Sequence, residues 1–226
     1  MKYEWILFDA DNTLFDFTSA SEEAFKALVK DLNLQGDDLY KHYEKCNHQC
    51  WKELEDGIID QVELREKRFA MFFDVLGLSL DALAANKYYL QQLVVNSQLI
   101  PGARALVSDL AEAKYKMGII TNGLKEVQRP RLRKVEMYDQ FDVIVVSDEI
   151  GFSKPDTRFF DHAFNDIGVV DKSNVVVVGD SLNSDIQGGN NYGLDTIWYN
   201  PEKKSNDTLH QPKVIIHKLV DLKNFI

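Results

Sequence analysis

The sequence has little that would tie it to a membrane, a polynucleotide or an oxidising compartment. No apolar run reaches the roughly 20 residues of a membrane-spanning helix. The N-terminal run covers only Trp5 to Phe8 before acids intervene, which is no secretory signal. At a net charge of −10 there is no excess of bases, and so no basic face for polymeric nucleic acid or anionic membrane. The 226 residues include two cysteines, Cys46 and Cys50, too few for a disulfide framework. With His42 on the same helical face and His48 nearby they raise the idea of a metal site. Structural zinc wants four ligands at tighter spacings, so they read as buried helix thiols. Internal repeats and low-complexity tracts are also missing. The expectation is a cytoplasmic protein, monomer or homodimer, with neither membrane nor polynucleotide as partner.

What is present is a soluble composition, 45% hydrophobic and 27% charged, enough for one large domain or one domain carrying an insertion. From Pro101 onward strand and helix patterns alternate. Helical spacing over Gly102–Tyr115 precedes the apolar run Lys116–Gly123. A helix over Lys125–Met137 holds Pro130 near its start or kinked, and a strand covers Phe141–Glu149. A helix over Lys154–Gly168 precedes the four-valine strand Asn174–Ser181, a short helix over Ser184–Gly193 and a strand over Asp195–Asn200. This alternation predicts an α/β, Rossmann-like parallel sheet with helices on both faces. Residues 16–98 differ: three segments have helical periodicity, Ser21 is placed to cap the first, and Gly57 and Gly77 end others. The predicted organisation is an α/β core of residues 1–15 and 99–226, with an all-helical domain, 16–98, inserted after the first strand.

In open parallel sheets ligands bind beyond the carboxyl ends of the strands. Reading only those ends gives Asp9 and Asp11, then Thr121–Asn122–Gly123, then Lys154–Pro155, then Gly179–Asp180 with Asp185 close behind. If the first strand ran through Asp9 and Asp11, their carboxylates would lie roughly 6–7 Å apart on one face, repelling by about 2–3 kcal/mol. A cation, a shared proton or a turn that splays the pair would offset this. Several carboxylates suit a hard cation such as Mg²⁺, while a lysine, a hydroxyl and free N–H groups suit phosphate oxygens. An ionised carboxylate beside both can attack phosphorus, and a second carboxyl can protonate the leaving oxygen.

These stretches carry a resemblance. "DADNT" (Asp9–Thr13), "ITNG" (Ile120–Gly123), "SKP" (Ser153–Pro155) and "GDSLNSD" (Gly179–Asp185) resemble, in order, the four motifs of the haloacid dehalogenase superfamily of phosphohydrolases. The helical insertion resembles that family's cap. The resemblance implies Asp9 as nucleophile forming an aspartyl-phosphate, and Asp11 as general acid and then base. It implies Thr121, Asn122 and Lys154 around the phosphoryl group. Mg²⁺ (or Mn²⁺ or Co²⁺) would be held by Asp9, the Asp11 carbonyl and Asp180, with Asp185 supporting from behind. "WILFDADNTLFDF", "WKELEDGII" and "IGFSKPDTRFFDHA" are further similar to bacterial pyrimidine 5′-nucleotidases. That implies a small phosphomonoester, a nucleoside monophosphate, as substrate.

A dehalogenase needs neither Asp11 nor Asp180. A generalist sugar-phosphate phosphatase or phosphomutase shares the core motifs and would differ in the cap. A signalling receiver domain lacks both the insertion and the D-x-D. Most insertion aromatics read as bundle core, with Phe17 and Trp51 as candidates to stack on a base. The basic run Arg129, Arg131, Arg133 and Lys134 reads as a solvated helix face.

Overall fold

The structure, a computed structural model, describes residues 2–168 and 171–226. Residue 1 and residues 169–170 of the expected core domain lie outside the described residues. Six strands form one parallel sheet: β1 (Trp5–Phe8), β2 (Lys116–Thr121), β3 (Val143–Val146), β4 (Val175–Gly179), β5 (Asp195–Tyr199) and β6 (Val214–Ile216). The spatial order is β3-β2-β1-β4-β5-β6. The chain therefore builds outward from β1 in one direction, then returns to build outward in the other. The reversal lies between β1 and β4, where open α/β sheets leave a crevice at the strand ends.

The strands alternate their apolar residues between two buried layers. Ile6 and Phe8 join Met117, Ile119, Val176, Val178 and Ile197 on one face. Trp5 and Leu7 join Ile120, Val143, Val145, Val175 and Val177 on the other. The first layer is covered by Leu106, Val107 and Leu110, the second by Phe159, Phe160 and Ala163. A sheet buried on both faces explains the unbroken valine run of β4.

The helices, in chain order, are α1 (Phe17–Asp31), α2 (Leu39–Glu55), α3 (Gln61–Val75), α4 (Ala82–Val95), α5 (Ala103–Glu112), α6 (Lys125–Lys134), α7 (Ser147–Ile150), α8 (Thr157–Ile167) and α9 (Gln187–Tyr192). Contacts divide the chain into two compact units. One is the N-terminal segment through Phe17 with Gln98–Ile226; the other is Thr18–Ser97. At the junction, Phe15 forms an antiparallel bridge with Leu99. Asp16 N donates to Gln98 O at 3.0 Å and Ile100 N to Leu14 O at 2.9 Å. The outgoing and returning chains thus run side by side as a short stem.

Several local expectations change. Ser21 does not cap α1: the helix starts at Phe17, and Ser21 lies buried within it, 2.8 Å from the Tyr89 hydroxyl. The third strand is shorter than Phe141–Glu149, because it pairs only over Val143–Val146 and the chain then turns into α7. The helix expected from Lys154 begins at Thr157. Asp156 caps it by accepting from Arg158 N, and the residue before Pro155 is disfavoured in helix. Pro130 stands inside α6. β6 is three residues long, too short to give a periodic signal. Gly57 and Gly77 follow α2 and α3 at positive φ. Cys46 and Cys50 are buried on α2 while His42 and His48 are exposed. Burial pushes both thiols up, Cys50 to about 11.

The helical unit is built on stacked rings: Tyr43 lies 4.8 Å from Phe25 and 5.0 Å from Phe69, centroid to centroid. Buried among them is Arg68, packed against the rings of Phe69 and Tyr89. Its guanidinium donates to the side-chain oxygens of Asn86 and Asn47, and among the described residues it forms no ion pair. A buried cation resting on neutral amides is sensitive to their loss and insensitive to its own apolar replacement. Asn86→Leu is expected to destabilise the protein by about 2 kcal/mol and Arg68→Met by clearly less. Thermal unfolding of the two variants checks the order.

Candidate active site

β1, β2 and β4 end side by side, and the residues that follow them meet around one ammonium. Lys154 Nζ donates to Asp9 Oδ1 at 2.8 Å, to Asp185 Oδ1 at 2.6 Å and to the Ile120 carbonyl at 2.6 Å. All three of its protons are thereby used. Burial works against the charged lysine, but Asp185 and Asp9 outweigh it and hold the ammonium above its ordinary value. Asn122 fixes the loop that carries it: its amide donates to Lys154 O and its side-chain oxygen accepts from Lys154 N, each at 2.8 Å. The Asn122 side chain therefore acts on the Lys154 backbone. Thr121, buried at the end of β2, accepts from Gly123 N at 3.1 Å.

Asp185 sits in a single π-helical turn, Leu182–Ile186, and is fully buried. Its second oxygen accepts from Ser181 N at 3.0 Å. The close fit explains Gly179, where a Cβ would stand 2.2 Å from Asp185 Oδ2. Trp198 Nε1 donates to Asp180 O at 2.8 Å, and Thr13 Oγ1 reaches Asp180 Oδ1 at 3.5 Å.

Carboxylate oxygens of Asp9, Asp180 and Asp185 lie within 4.8 Å of one another. Burial, with Asp185 and Asp11 adding and Lys154 opposing, pushes Asp9 up to about 7. Burial, then Asp9 and Asp185, pushes Asp180 up to about 8. Burial leads in both shifts, and the neighbouring carboxylates add to it. Among the described residues the side-chain cations paired with Asp9, Asp11, Asp180 and Asp185 are Lys154 and Arg131, so full ionisation leaves two negative charges. A divalent cation that prefers oxygen ligands fits this donor set. Both oxygens of Asp185 are committed to Lys154 and Ser181, which leaves Asp9 and Asp180 as the carboxylates able to meet such an ion directly.

Asp11 goes elsewhere. β1 stops at Phe8, Asn12 takes a left-handed conformation (φ 55°), and Leu14 N and Phe15 N both donate to Ala10 O. The two acids are therefore not neighbours on one strand face; a tight turn gives them different partners. Asp11 Oδ1 accepts from Arg131 Nη1 at 2.6 Å and Oδ2 from Gln128 Nε2 at 2.9 Å. This overturns the solvated reading of the basic run for Arg131, which is 1% exposed. Arg129 pairs with Glu149 at the surface, and Arg133 lies over the Tyr138 ring. A signal was present in the sequence: Val127, Gln128, Arg131 and Leu132 form the buried side of α6, at i, i+1, i+4 and i+5. Counting the arginine as surface charge hid it. Phe17 opens α1 and Trp51 lies toward the end of α2; both are partly exposed.

Residues 3–193 match the haloacid dehalogenase-like hydrolase family. Pyrimidine 5′-nucleotidase PynA of Streptococcus pneumoniae is 35% identical over 223 residues, covering 98% of this chain and 94% of that protein. Pyrimidine 5′-nucleotidase YjjG of Escherichia coli is 32% identical over 226 residues, 100% of this chain and 99% of that protein. The magnesium-bound crystal structure of the HAD-hydrolase YfnB from Bacillus subtilis superposes with a TM-score of 0.90 at 33% identity, covering 99% of this chain and 98% of that one. With most of its length matched to the family, and with relatives about a third identical from end to end, the chain belongs to the haloacid dehalogenase-like hydrolases.

Proposed function

We propose that this phosphatase of the haloacid dehalogenase superfamily hydrolyses pyrimidine nucleoside 5′-monophosphates through an aspartyl-phosphate on Asp9. The observation that supports the chemistry best is the separate housing of the two N-terminal acids. Asp9 is buried against Lys154 in the carboxylate cluster, whereas Asp11 is partly exposed and held by α6. Two carboxyls in different surroundings can divide the work of nucleophile and proton carrier. The substrate class is drawn from PynA and YjjG, whose names state it and whose likeness extends through the helical unit.

Asp9 attacks phosphorus, forming a new O–P bond as the ester P–O bond breaks. Asp11 gives its proton to the departing nucleoside oxygen. It then takes a proton from the water whose oxygen attacks the phosphoryl-aspartate, releasing inorganic phosphate and restoring Asp9. The Thr121 hydroxyl donates to a phosphoryl oxygen, and the nearby Lys154 ammonium offsets the phosphoryl charge. Asp9, Asp180 and the Asp11 carbonyl would hold Mg²⁺, with Asp185 steadying Lys154 behind them. The ion, when bound, supplies positive charge to the phosphoryl oxygens and favours ionised Asp9. Thr18–Ser97 sets which phosphomonoester is accepted, with Trp51 and Phe17 as the aromatic candidates for the base.

The deciding experiment ranks kcat/KM over nucleotides and sugar phosphates. Uridine and thymidine monophosphates are expected to lead, and Trp51→Ala to reduce them more than p-nitrophenyl phosphate. A lead for a hexose phosphate would replace the nucleotidase reading by a generalist phosphatase or a mutase. Asp9→Asn is expected to abolish turnover. Asp11→Asn should lose about 10²–10⁴-fold on nucleotides yet still give a stoichiometric burst with p-nitrophenyl phosphate, whose leaving group needs no proton. Absence of that burst would remove Asp11 as the acid.

The raised carboxyls give a further expectation. Without a cation the folded state holds protons on Asp9 and Asp180 well above pH 4, whereas the unfolded chain releases them near there. These groups therefore favour folding fully below about pH 4, and that contribution declines from there and is gone once pH has risen through about 7 to 8. In EDTA, thermal stability should fall across that window. Mg²⁺ should restore it at about pH 8.5 and do little at about pH 5.5. An equal gain at both pH values would separate the cation from these carboxyls.

A further inference from the structure

We propose that Arg131 and Gln128 are positioning residues that lock the direction and plane of the Asp11 carboxyl group, and that turnover depends on the lock. The proposal rests on the proton-carrying role given to Asp11 above.

A single donor leaves a carboxylate free to swing about its own bond; two donors on different oxygens fix its plane. Arg131 takes Oδ1 and Gln128 takes Oδ2. The two residues are also coupled. Arg131 Nη2 donates to Gln128 Oε1 at 2.6 Å. With that oxygen turned to the guanidinium, the Gln128 NH₂ group must face Asp11. Arg131 thus holds one oxygen of Asp11 directly and aims the donor for the other.

Stability alone does not account for the arginine. A buried guanidinium is costly to desolvate, and apolar residues of similar size serve a fold as well or better. Among the described residues its Nε has no hydrogen-bond partner, although the group is buried, with Cζ 4.2 Å from the centre of the Phe15 ring. The "TNG" turn is fitted to the same device: a Cβ on Gly123 would stand 1.8 Å from Gln128 Nε2. Glycine there leaves the amide its path to Asp11, which ties the end of β2 to the acid following β1.

The test is steady-state kinetics with uridine 5′-monophosphate on Arg131→Gln, Arg131→Lys, Gln128→Leu and the double variant Asp11→Asn/Arg131→Gln. In Arg131→Gln, kcat should fall about ten- to a hundredfold, part of the roughly 10²–10⁴-fold that acid–base catalysis supplies, with KM changed less than about twofold. Arg131→Lys should recover part of the loss, and Gln128→Leu should lose less than Arg131→Gln. In the Asp11→Asn background, Arg131→Gln should cost nothing further, because its effect runs through Asp11. A merely structural arginine would instead add its loss to that of Asp11→Asn. That additivity, or wild-type kcat in Arg131→Gln, overturns the proposal. If Arg131→Gln does not fold, Arg131→Lys and Gln128→Leu carry the same comparison, and wild-type kcat in both overturns it. A wild-type protein that hydrolyses no phosphomonoester overturns the proposed function, and the positioning role falls with it. Active wild type with unaffected variants overturns the positioning role alone.

Discussion

Everything at the carboxyl end of this sheet is arranged around the buried ammonium of Lys154. A lysine with no water to solvate it must find three acceptors. It finds them on three segments of chain: the turn after β1, the end of β2 and the π-helical turn after β4. No two of those segments are close in sequence, so the ion group acts as a register pin for the parallel sheet. It also sets the charge of the site. Asp9 and Asp180 are pushed up first by their burial and then by the carboxylates around them, which the lysine offsets only in part.

The fold itself is an expression of the strand order. Because β1 sits inside the sheet, between β2 and β4, the turn that follows it opens where the chain reverses its direction of growth. Asp9 and Asp180 arrive from strands paired directly with one another. Thr121 arrives from the neighbour on the other side. A site assembled from adjacent strand ends needs no long loops: Gly179 and Ser181 fit Asp185 a few residues on, and Asn122 holds the backbone of Lys154.

This explains which parts were legible in the sequence. Asp9, Thr121, Lys154, Asp180 and Asp185 stand just past apolar runs whose period is clear, so their common edge follows from the α/β alternation. A serine ahead of a helical pattern is an N-cap signal, but the helix already starts at Phe17 and Ser21 faces the Tyr89 hydroxyl. The third strand was read too long because composition continues where pairing does not. Arg131 was missed because its partner, Asp11, comes from a part of the chain 120 residues earlier. A buried ion pair is visible in sequence only when both halves are assigned to the same place.

The stem at Leu14–Asp16 and Gln98–Ile100 bears on how this chain reaches its native state. The α/β unit is interrupted after a single strand, and everything it pairs with is made later. Closing a flexible loop of the insertion's length costs about 4 kcal/mol of chain entropy, set against just a few backbone hydrogen bonds at the stem. If Thr18–Ser97 collapses first onto its own rings, its ends are already near one another and most of that entropy is spent locally. The insertion then behaves as a short connection rather than a long one. Its helices, formed first, would shorten the closure that brings β1 to β2 and β4, in a sheet to which they contribute no strand.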